Sequence, residues 1–384
     1  MDFSGQDVKM QGFSREEVIR YSRHFAVPEI GAEGQKKLRA SRVLVVGAGG
    51  LGSPALLYLA GAGVGTIGIA DPDSVAVSNL HRQVLYSSMM EGRNKAECAA
   101  QRISGLNPCV RTAVHGRLGE GNVLEVLKDY DMVLDCSDNF TCRYLINDAC
   151  VLTGKPDISG SIYRFEGQVS VFDAGKGACY RCLYPEPPSL ERPDSCEDNG
   201  VAGPLPGIVG SIQALEAMKL ILEKGTVLTG KLLIIDGLEM DFKKLDVARR
   251  PECPVCGNNP SISEPREMKA AFLGFCSTVN ISPEELKAAI ETGAKLQILD
   301  LRHDWEHDLC HIPGDFSLPF ENMEKGLERT GLDPALPVVV YCKDAGRSAK
   351  AGELLARKGF GDVKILEGGI DAWAAKIEPG MMRY

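Results

Sequence analysis

An α/β protein of two domains is what this sequence predicts, and three observations carry that prediction. Apolar runs of strand length alternate with helical patterns along most of the chain, which implies an open, largely parallel sheet. The segment from Val43 to Ala70 holds no charge but is punctuated by glycines at turn spacing. It therefore reads as buried strand, turn, buried helix, turn and buried strand rather than a membrane span. After a stretch without periodic pattern near 257–276, the alternation starts again. A chain of 384 residues also exceeds one ordinary core.

Residues 14–40 read as helical, opened by Ser14 with Glu17 three positions on, a capping-box pattern. RVLVVG (42–47) is a strand, SPALLYLAGAG the helix after its glycine turn, and GTIGIAD (65–71) a second strand. DMVLDCSD (131–138) is a third strand ending in acid, and QVSVFD (168–173) alternates as a strand does. PGIVGSIQALEAMKLILEKG (206–225) is a long apolar helix with Gly225 as its stop. Beyond the linker come SPEELKAAIETG (helix), LQILDLR and LPVVVYC (strands), SAKAGELLARKGF (helix) and VKILEGG (strand). The expected boundaries are a first domain over 14–260, a linker over 261–278 and a small α/β domain over 279–384.

An apolar fraction of 44% with 25% charged residues is that of a soluble globular protein. Lys plus Arg number 43 against 52 Asp plus Glu, a net charge of −9, with no basic run, so nucleic acid and anionic membranes are not expected partners. The opening MDFSGQDVKM has no apolar signal region, and 13 cysteines, an odd number, fit a reducing compartment; the expected location is cytoplasmic. Cys98, Cys109, Cys136, Cys142, Cys150, Cys276 and Cys310 are expected to be buried small hydrophobes.

Gly47, Gly49, Gly50 and Gly52 form a G-x-G-x-x-G between strand and helix. Glycines there let the backbone approach phosphates, whose charge the amides at the helix N-terminus bind. Asp71 ends the second strand, about twenty residues on, where a carboxylate meets ribose hydroxyls. So far NAD, FAD and ATP all remain open. Ser78-Asn79-Leu80-His81-Arg82-Gln83 and Lys95 then bring two cations and two amides to the same crevice, more than a dinucleotide needs and suited to a triphosphate with a leaving pyrophosphate. Asp138 and Asn139 close the third strand, where a carboxylate can hold Mg2+.

Six cysteines remain. Cys179-x-x-Cys182 and Cys253-x-x-Cys256 have the local spacing of a tetrahedral Zn2+ site, with Gly257 freeing the second turn; redox dithiols are the alternative at this spacing. Cys196 lies among Asp194, Glu197 and Asp198, so nothing local depresses its pKa. Cys342 ends a strand, followed by a turn with Gly346 and Arg347 and then a helix. Amides, helix dipole and guanidinium all favour an anionic sulfur there, which suits a persulfide.

Taken together, the glycine turn, Asp71, the Ser78–Arg82 run, Lys95 and Cys-Ser-Asp138-Asn139, preceded by Arg20-Tyr-Ser-Arg23, resemble the MoeB/ThiF branch of ubiquitin-activating-enzyme-like adenylyltransferases over about residues 14–260. His81 stands where glutamine is common in that family. The resemblance implies a Rossmann-like domain with a four-cysteine zinc site that adenylates the C-terminal Gly-Gly carboxylate of a ubiquitin-like sulfur carrier. It implies ATP contacts from the glycine turn, Asp71, Ser78, Asn79, Leu80, His81, Arg82, Lys95, Asp138 and Asn139. It also implies a homodimer, with Arg23 reaching the neighbour's phosphates, and a role for Cys196 on a loop crossing the nucleotide.

Cys342-x4-Arg347, with Asp300-Leu-Arg302 and His311-Ile-Pro-Gly314, resembles a rhodanese. Asp300 and Arg302 are expected to pair within that domain. Ala345 stands where glycine is common and Asp344 adds negative charge, so the sulfur donor is open between a protein persulfide, such as that of a cysteine desulfurase, and thiosulfate. The end, IEPGMMRY, resembles the tail of adenylyltransferase–rhodanese fusions without its second proline.

The mechanism expected from these resemblances has a Cys342 persulfide displace AMP from the carrier acyl-adenylate. Cys196 then resolves the acyl disulfide, or forms a thioester directly. The carrier pathway is left open among molybdopterin, thiamin, cysteine and tRNA thiolation. The rival readings are an NAD(P)-linked oxidoreductase and a non-catalytic sulfur-relay scaffold.

Overall fold

The structure, a computed structural model, describes residues 12–186, 200–267, 279–343 and 346–384. They fall into two compact units, each built on its own sheet.

Ser14 Oγ accepts from the Glu17 amide while the Glu17 carboxylate accepts from the Ser14 amide, the expected capping box. The 14–40 stretch is not one helix, however. It forms α1 (Arg15–Arg20), α2 (Ser22–Phe25) and α3 (Gly31–Ala40), with Pro28 in the interruption, where a missing N–H and fixed ring oppose helix continuation.

The strand–turn–helix–turn–strand reading then holds as β1 (Arg42–Val46), α4 (Gly52–Ala62) and β2 (Thr66–Ala70). Next come α5 (Lys95–Leu106), β3 (Arg111–His115), α6 (Val123–Leu127), β4 (Met132–Asp135) and α7 (Phe140–Thr153). The first unit is completed by β5 (Asp157–Tyr163), β6 (Glu166–Phe172), α8 (Tyr180–Leu183), α9 (Pro204–Leu222), β7 (Lys231–Asp236) and β8 (Asp241–Asp246).

The first sheet runs β3-β2-β1-β4-β5-β6-β7-β8. The expected parallel order covers β3 to β5 only. Strands β6, β7 and β8 extend it antiparallel. The reason is local: two residues, including Arg164 at φ 54°, join β5 to β6, and so short a connection can only reverse the chain. Along β1, Val43 and Val45 enter one apolar cluster while Leu44 and Val46 enter another, so both faces are covered and the strand reads as a continuous apolar run.

Helix α9 is, among the described residues, the helix long and apolar enough to cross a membrane, yet it belongs to the core. A Cβ at Gly210 would stand 2.1 Å from the Leu51 carbonyl oxygen, which shows how closely α9 crosses the start of α4. It stops at Glu223 in a left-handed conformation, two residues before the expected Gly225.

The second unit comprises β9 (Val279–Ile281), α10 (Pro283–Glu291), β10 (Gln297–Asp300), α11 (Asp304–Leu309), β11 (Phe316–Ser317), α12 (Met323–Gly326), β12 (Val338–Tyr341), α13 (Gly346–Arg357), β13 (Val363–Leu366) and α14 (Gly369–Lys376). Its sheet, β11-β10-β12-β13-β9, is parallel throughout.

Of the expected linker, residues 261–267 are held to the first unit: Ile262 donates to the Pro254 carbonyl, and Glu267 pairs with Arg117 at 3.0 Å. The cysteine expectation needs a correction too. Cys98, Cys136 and Cys150 are buried, Cys142 and Cys310 are half-buried, and Cys109 is exposed on the turn between α5 and β3. Cys276 and Cys196 lie outside the described residues.

Candidate functional site

Chain direction across the first sheet splits at β1, with β2 and β3 on one side and β4 on the other. Ligands of open α/β sheets sit outside the carboxyl ends of strands at such a point. The glycine turn lies there. Gly47 has φ +87°, and a Cβ on it would meet the Cys136 carbonyl oxygen at 2.7 Å; one on Gly52 would lie 2.0 Å from the Gly47 oxygen. Only glycine lets β1 turn this sharply into α4, whose N-terminal amides then face the crevice.

The residues expected around this turn come together. Asp71, buried at the end of β2, accepts from the Ala48 amide at 2.7 Å and the Asp73 amide at 2.9 Å. Burial raises its pKa above the ordinary carboxylate range, with Lys95 opposing. Val77–Asn79 form a 3-10 turn that carries the following Arg82 over the glycines, within 3.7 Å of where a Gly50 Cβ would be. Arg82 donates to the Ser78 carbonyl at 3.3 Å, and His81 Nδ1 also approaches that oxygen. Lys95 opens α5; its buried stem brings Nζ 3.0 Å from Asp73. Tyr86 ties the pieces together, donating to both the Ala48 and Lys95 carbonyls. Sequence reading missed Tyr86 and Asp73 as parts of this arrangement, since their roles are purely spatial.

Two site expectations change in detail. Strand β4 ends at Asp135, not Asp138, which is exposed on the bend before α7. The Asn139 side chain caps α7, accepting from the Cys142 amide at 2.9 Å. Beneath them sits a buried node that the sequence did not reveal. Arg143 donates to the Ser137 carbonyl and lies 3.8 Å from Asp135. Near it Asp157 is buried with neither carboxylate oxygen hydrogen-bonded. Burial, then the Asp135 charge, pushes the Asp157 pKa far above normal despite Arg143.

Arg23 is exposed on α2, at the other end of α4. The neighbouring His24 bonds Gln35, which donates to the Ala62 carbonyl at the α4 C-terminus. The glycine turn is at the opposite end of this 11-residue helix, about 16 Å away at 1.5 Å per residue. The structure therefore does not bring Arg23 to the glycine turn of its own chain.

All four knuckle cysteines converge in one buried cluster. The Cys179–Cys182, Cys179–Cys253 and Cys182–Cys256 sulfurs are 3.9, 3.6 and 3.4 Å apart. A tetrahedron with metal–sulfur bonds of about 2.3 Å has edges of about 3.8 Å, so these thiols could hold one ion. Two separate redox dithiols do not describe this arrangement. The first knuckle is anchored by a bidentate Arg181–Asp148 pair at 2.7 Å, and the second by the close turn at Gly257, where a Cβ would meet the Cys253 carbonyl at 2.4 Å. Burial tends to raise the Cys253 thiol, but the Cys256 and Val255 amides, with the Cys256 and Cys179 thiols, outweigh it and hold the pKa below normal.

In the second unit, Cys342 is buried where β12 ends, just ahead of α13. Its carbonyl accepts from Ile370 at 2.9 Å, and Gly369, at φ +55°, leaves that oxygen the room a Cβ would take. Arg347 lies on the first turn of α13 with Nη1 3.7 Å from Glu306. Glu306 and Tyr384, which donates to it at 2.6 Å, were not expected near this turn. Lys343 stands over the Tyr384 ring at 4.8 Å. The expected Asp300–Arg302 pair is present at 2.6 Å with both side chains fully buried. Asp344 and Ala345 lie outside the described residues.

Comparison with known proteins agrees with this division. Residues 21–255 match the ThiF family and residues 282–376 the rhodanese-like domain. The chain is 44% identical to a probable adenylyltransferase/sulfurtransferase MoeZ of Mycobacterium tuberculosis, over 97% of this chain and 96% of that one. It is 39% identical to the adenylyltransferase and sulfurtransferase MOCS3 of Mus musculus, over 97% of this chain and 88% of the other. Among solved structures, E. coli MccB with MccA-N7isoASN superposes at a TM-score of 0.55 and 24% identity, covering 62% of this chain and 75% of that one, a likeness of fold.

Proposed function

The chain belongs to the ThiF family and joins it to a rhodanese-like domain, and from that premise we propose how its residues share the work. The protein is an adenylyltransferase and sulfurtransferase acting on a sulfur carrier. This disfavours both the oxidoreductase and the non-catalytic scaffold readings.

In the proposed first step a carrier Gly-Gly carboxylate attacks the α-phosphorus of ATP, giving acyl-adenylate and pyrophosphate. The glycine-turn amides receive phosphate oxygens, Asp71 faces the ribose, and Arg82 and Lys95 stabilise charge on the departing pyrophosphate. Ser78, Asn79, Leu80 and His81 shape the wall behind Arg82. Asp138, exposed beside the turn, would hold Mg2+, an ion that would neutralise phosphate charge, and Asn139 next to it would contact ATP. Arg23, remote from its own chain's glycine turn, would serve a partner's phosphates in a homodimer. The four-cysteine cluster would hold Zn2+ as a closed structural site with no open position for chemistry.

In the second step a persulfide on Cys342 attacks the acyl carbon, expelling AMP and forming an acyl disulfide. Arg347 and the α13 N-terminus favour the anionic sulfur. The Cys196 thiolate then attacks Cys342 Sγ, releasing the carrier thiocarboxylate and leaving a Cys196–Cys342 disulfide for a thiol reductant. A cysteine desulfurase persulfide or thiosulfate would load Cys342, in the cytoplasm. The molybdopterin carrier is the proposed substrate, on the likeness to MoeZ and MOCS3.

The observation that carries the reading is the convergence of Arg82 and Lys95 on the glycine turn. Carrier-dependent ATP–pyrophosphate exchange tests it. Arg82→Ala should lower exchange roughly 100- to 1,000-fold, the usual cost of removing one transition-state donor. Wild-type exchange in that variant would overturn the assignment.

A further inference from the structure

Outside the persulfide turn, the second unit gathers three metal-type donors that the sulfur chemistry does not use. His307 on α11, and His311 and Asp315 in the segment leading to β11, each place one donor atom within 4.8 Å of the other two. The two imidazoles stack at 4.2 Å between centroids with an 18° interplanar angle.

Each ring is held from behind. His311 Nδ1 lies 3.0 Å from the His307 carbonyl, which can only accept, so Nδ1 carries the proton and Nε2 the lone pair. His307 Nδ1 lies 3.1 Å from Asp300 Oδ2, a carboxylate already clamped by Arg302. Neutral His307 therefore donates to Asp300 and leaves Nε2 as its lone-pair nitrogen. Imidazoles whose second nitrogen is fixed by a carboxylate or backbone carbonyl are the form in which histidine binds metals. Asp315, whose side chain is buried, accepts from the Tyr341 hydroxyl and places Oδ2 3.7 Å from His307 Nδ1. His311 is exposed, so an ion has a way in from solvent.

We propose that His307, His311 and Asp315 form a second cation site, distinct from the four-cysteine cluster, that takes a Zn2+-class divalent transition ion and completes its shell with water. Two imidazoles and one carboxylate are a borderline donor set, poor for Mg2+ or Ca2+ and suited to Zn2+. Metal–ligand bonds of about 2.0–2.1 Å set ligand edges of about 3.4 Å, so the donors must close by about 1.4 Å at most. The stacked rings hold their in-plane lone pairs nearly parallel. To share an ion with His307, the exposed His311, beside the Pro313-Gly314 turn, must therefore turn out of the stack and give up the His307 carbonyl. The inference is independent of the adenylation and sulfur-transfer assignments.

The test is calorimetric titration of Zn2+ into the full-length protein already carrying its thiolate-bound metal. Wild type should bind one further equivalent. His311→Ala, an exposed change, and Asp315→Asn should each weaken that equivalent at least tenfold, while elemental analysis shows the thiolate-bound ion retained. His311→Gln provides a second probe should His311→Ala lose its fold by circular dichroism. Absence of a further equivalent in wild type, or equal binding in wild type and folded variants, would overturn the proposal and leave the cluster as a histidine–carboxylate ion pair.

Discussion

Asp157 shows how a single side chain can impose a cost on the unit that holds it. Its carboxylate is buried without a hydrogen bond, beside Asp135 and Arg143. Burial and then Asp135 raise its pKa well above the unfolded value. The folded state therefore binds this proton more tightly than the unfolded chain does. The stability this supplies is complete below the unfolded pKa and is lost as pH rises through the folded one. Asp157→Asn should remove that dependence, so the variant should gain melting temperature over wild type at pH 8 and little at pH 4. Equal differences at both pH values in a thermal scan would rule it out. Asp300, by contrast, has a close cationic partner. Its fully buried pairing with Arg302 means that Asp300→Ala strands a guanidinium, at a cost of about 3–5 kcal/mol in denaturant unfolding of the second unit.

At the scale of elements, turns decide the chemistry. The β1–α4 turn needs glycine because neighbouring carbonyls occupy the space of a side chain. The two cysteine knuckles need each other, since one belongs to α8 and the other to the turn after β8, and only their packing makes a four-sulfur cluster. Replacing Cys253 with Ser should release about one metal ion per chain and destabilise the first unit, as loss of a ligand does in structural sites. Plasma emission analysis that finds no metal in intact wild-type protein would remove the basis for this expectation.

Over the whole molecule, the proposed function divides two half-reactions between two units. Arg82 and Lys95 belong to the first unit and Cys342 to the second, so damage to one should spare the other. Arg82→Ala should lose pyrophosphate exchange yet keep sulfur transfer to a small thiol acceptor. Cys342→Ala should keep exchange yet form no thiocarboxylate from the donor, unless excess sulfide attacks the acyl-adenylate directly. Mass spectrometry of the carrier, read for the replacement of O by S, checks the second half. Loss of both activities in either variant would contradict the separation.

Much of this was legible in the residues alone. Period, glycine placement and caps identify β1, α4, β2, α9 and strands β10, β12 and β13 of the second unit, because those signals act over a few neighbouring residues, whereas the short β9 and β11 carry too little pattern to be read. The motif runs likewise identify the glycine turn, Asp71, Arg82, Lys95 and Cys342 as candidates. Tertiary structure alone decided the rest. It showed that the sheet turns antiparallel after β5, that Arg143, Asp135 and Asp157 meet under β4, that Glu306 and Tyr384 flank Arg347, and that His307, His311 and Asp315 converge. Most of these depend on residues far apart in the chain, and even the nearer ones depend on where a turn aims them. Local pattern fixes which conformation a segment prefers; packing fixes which distant groups share one volume and which of them lose their water.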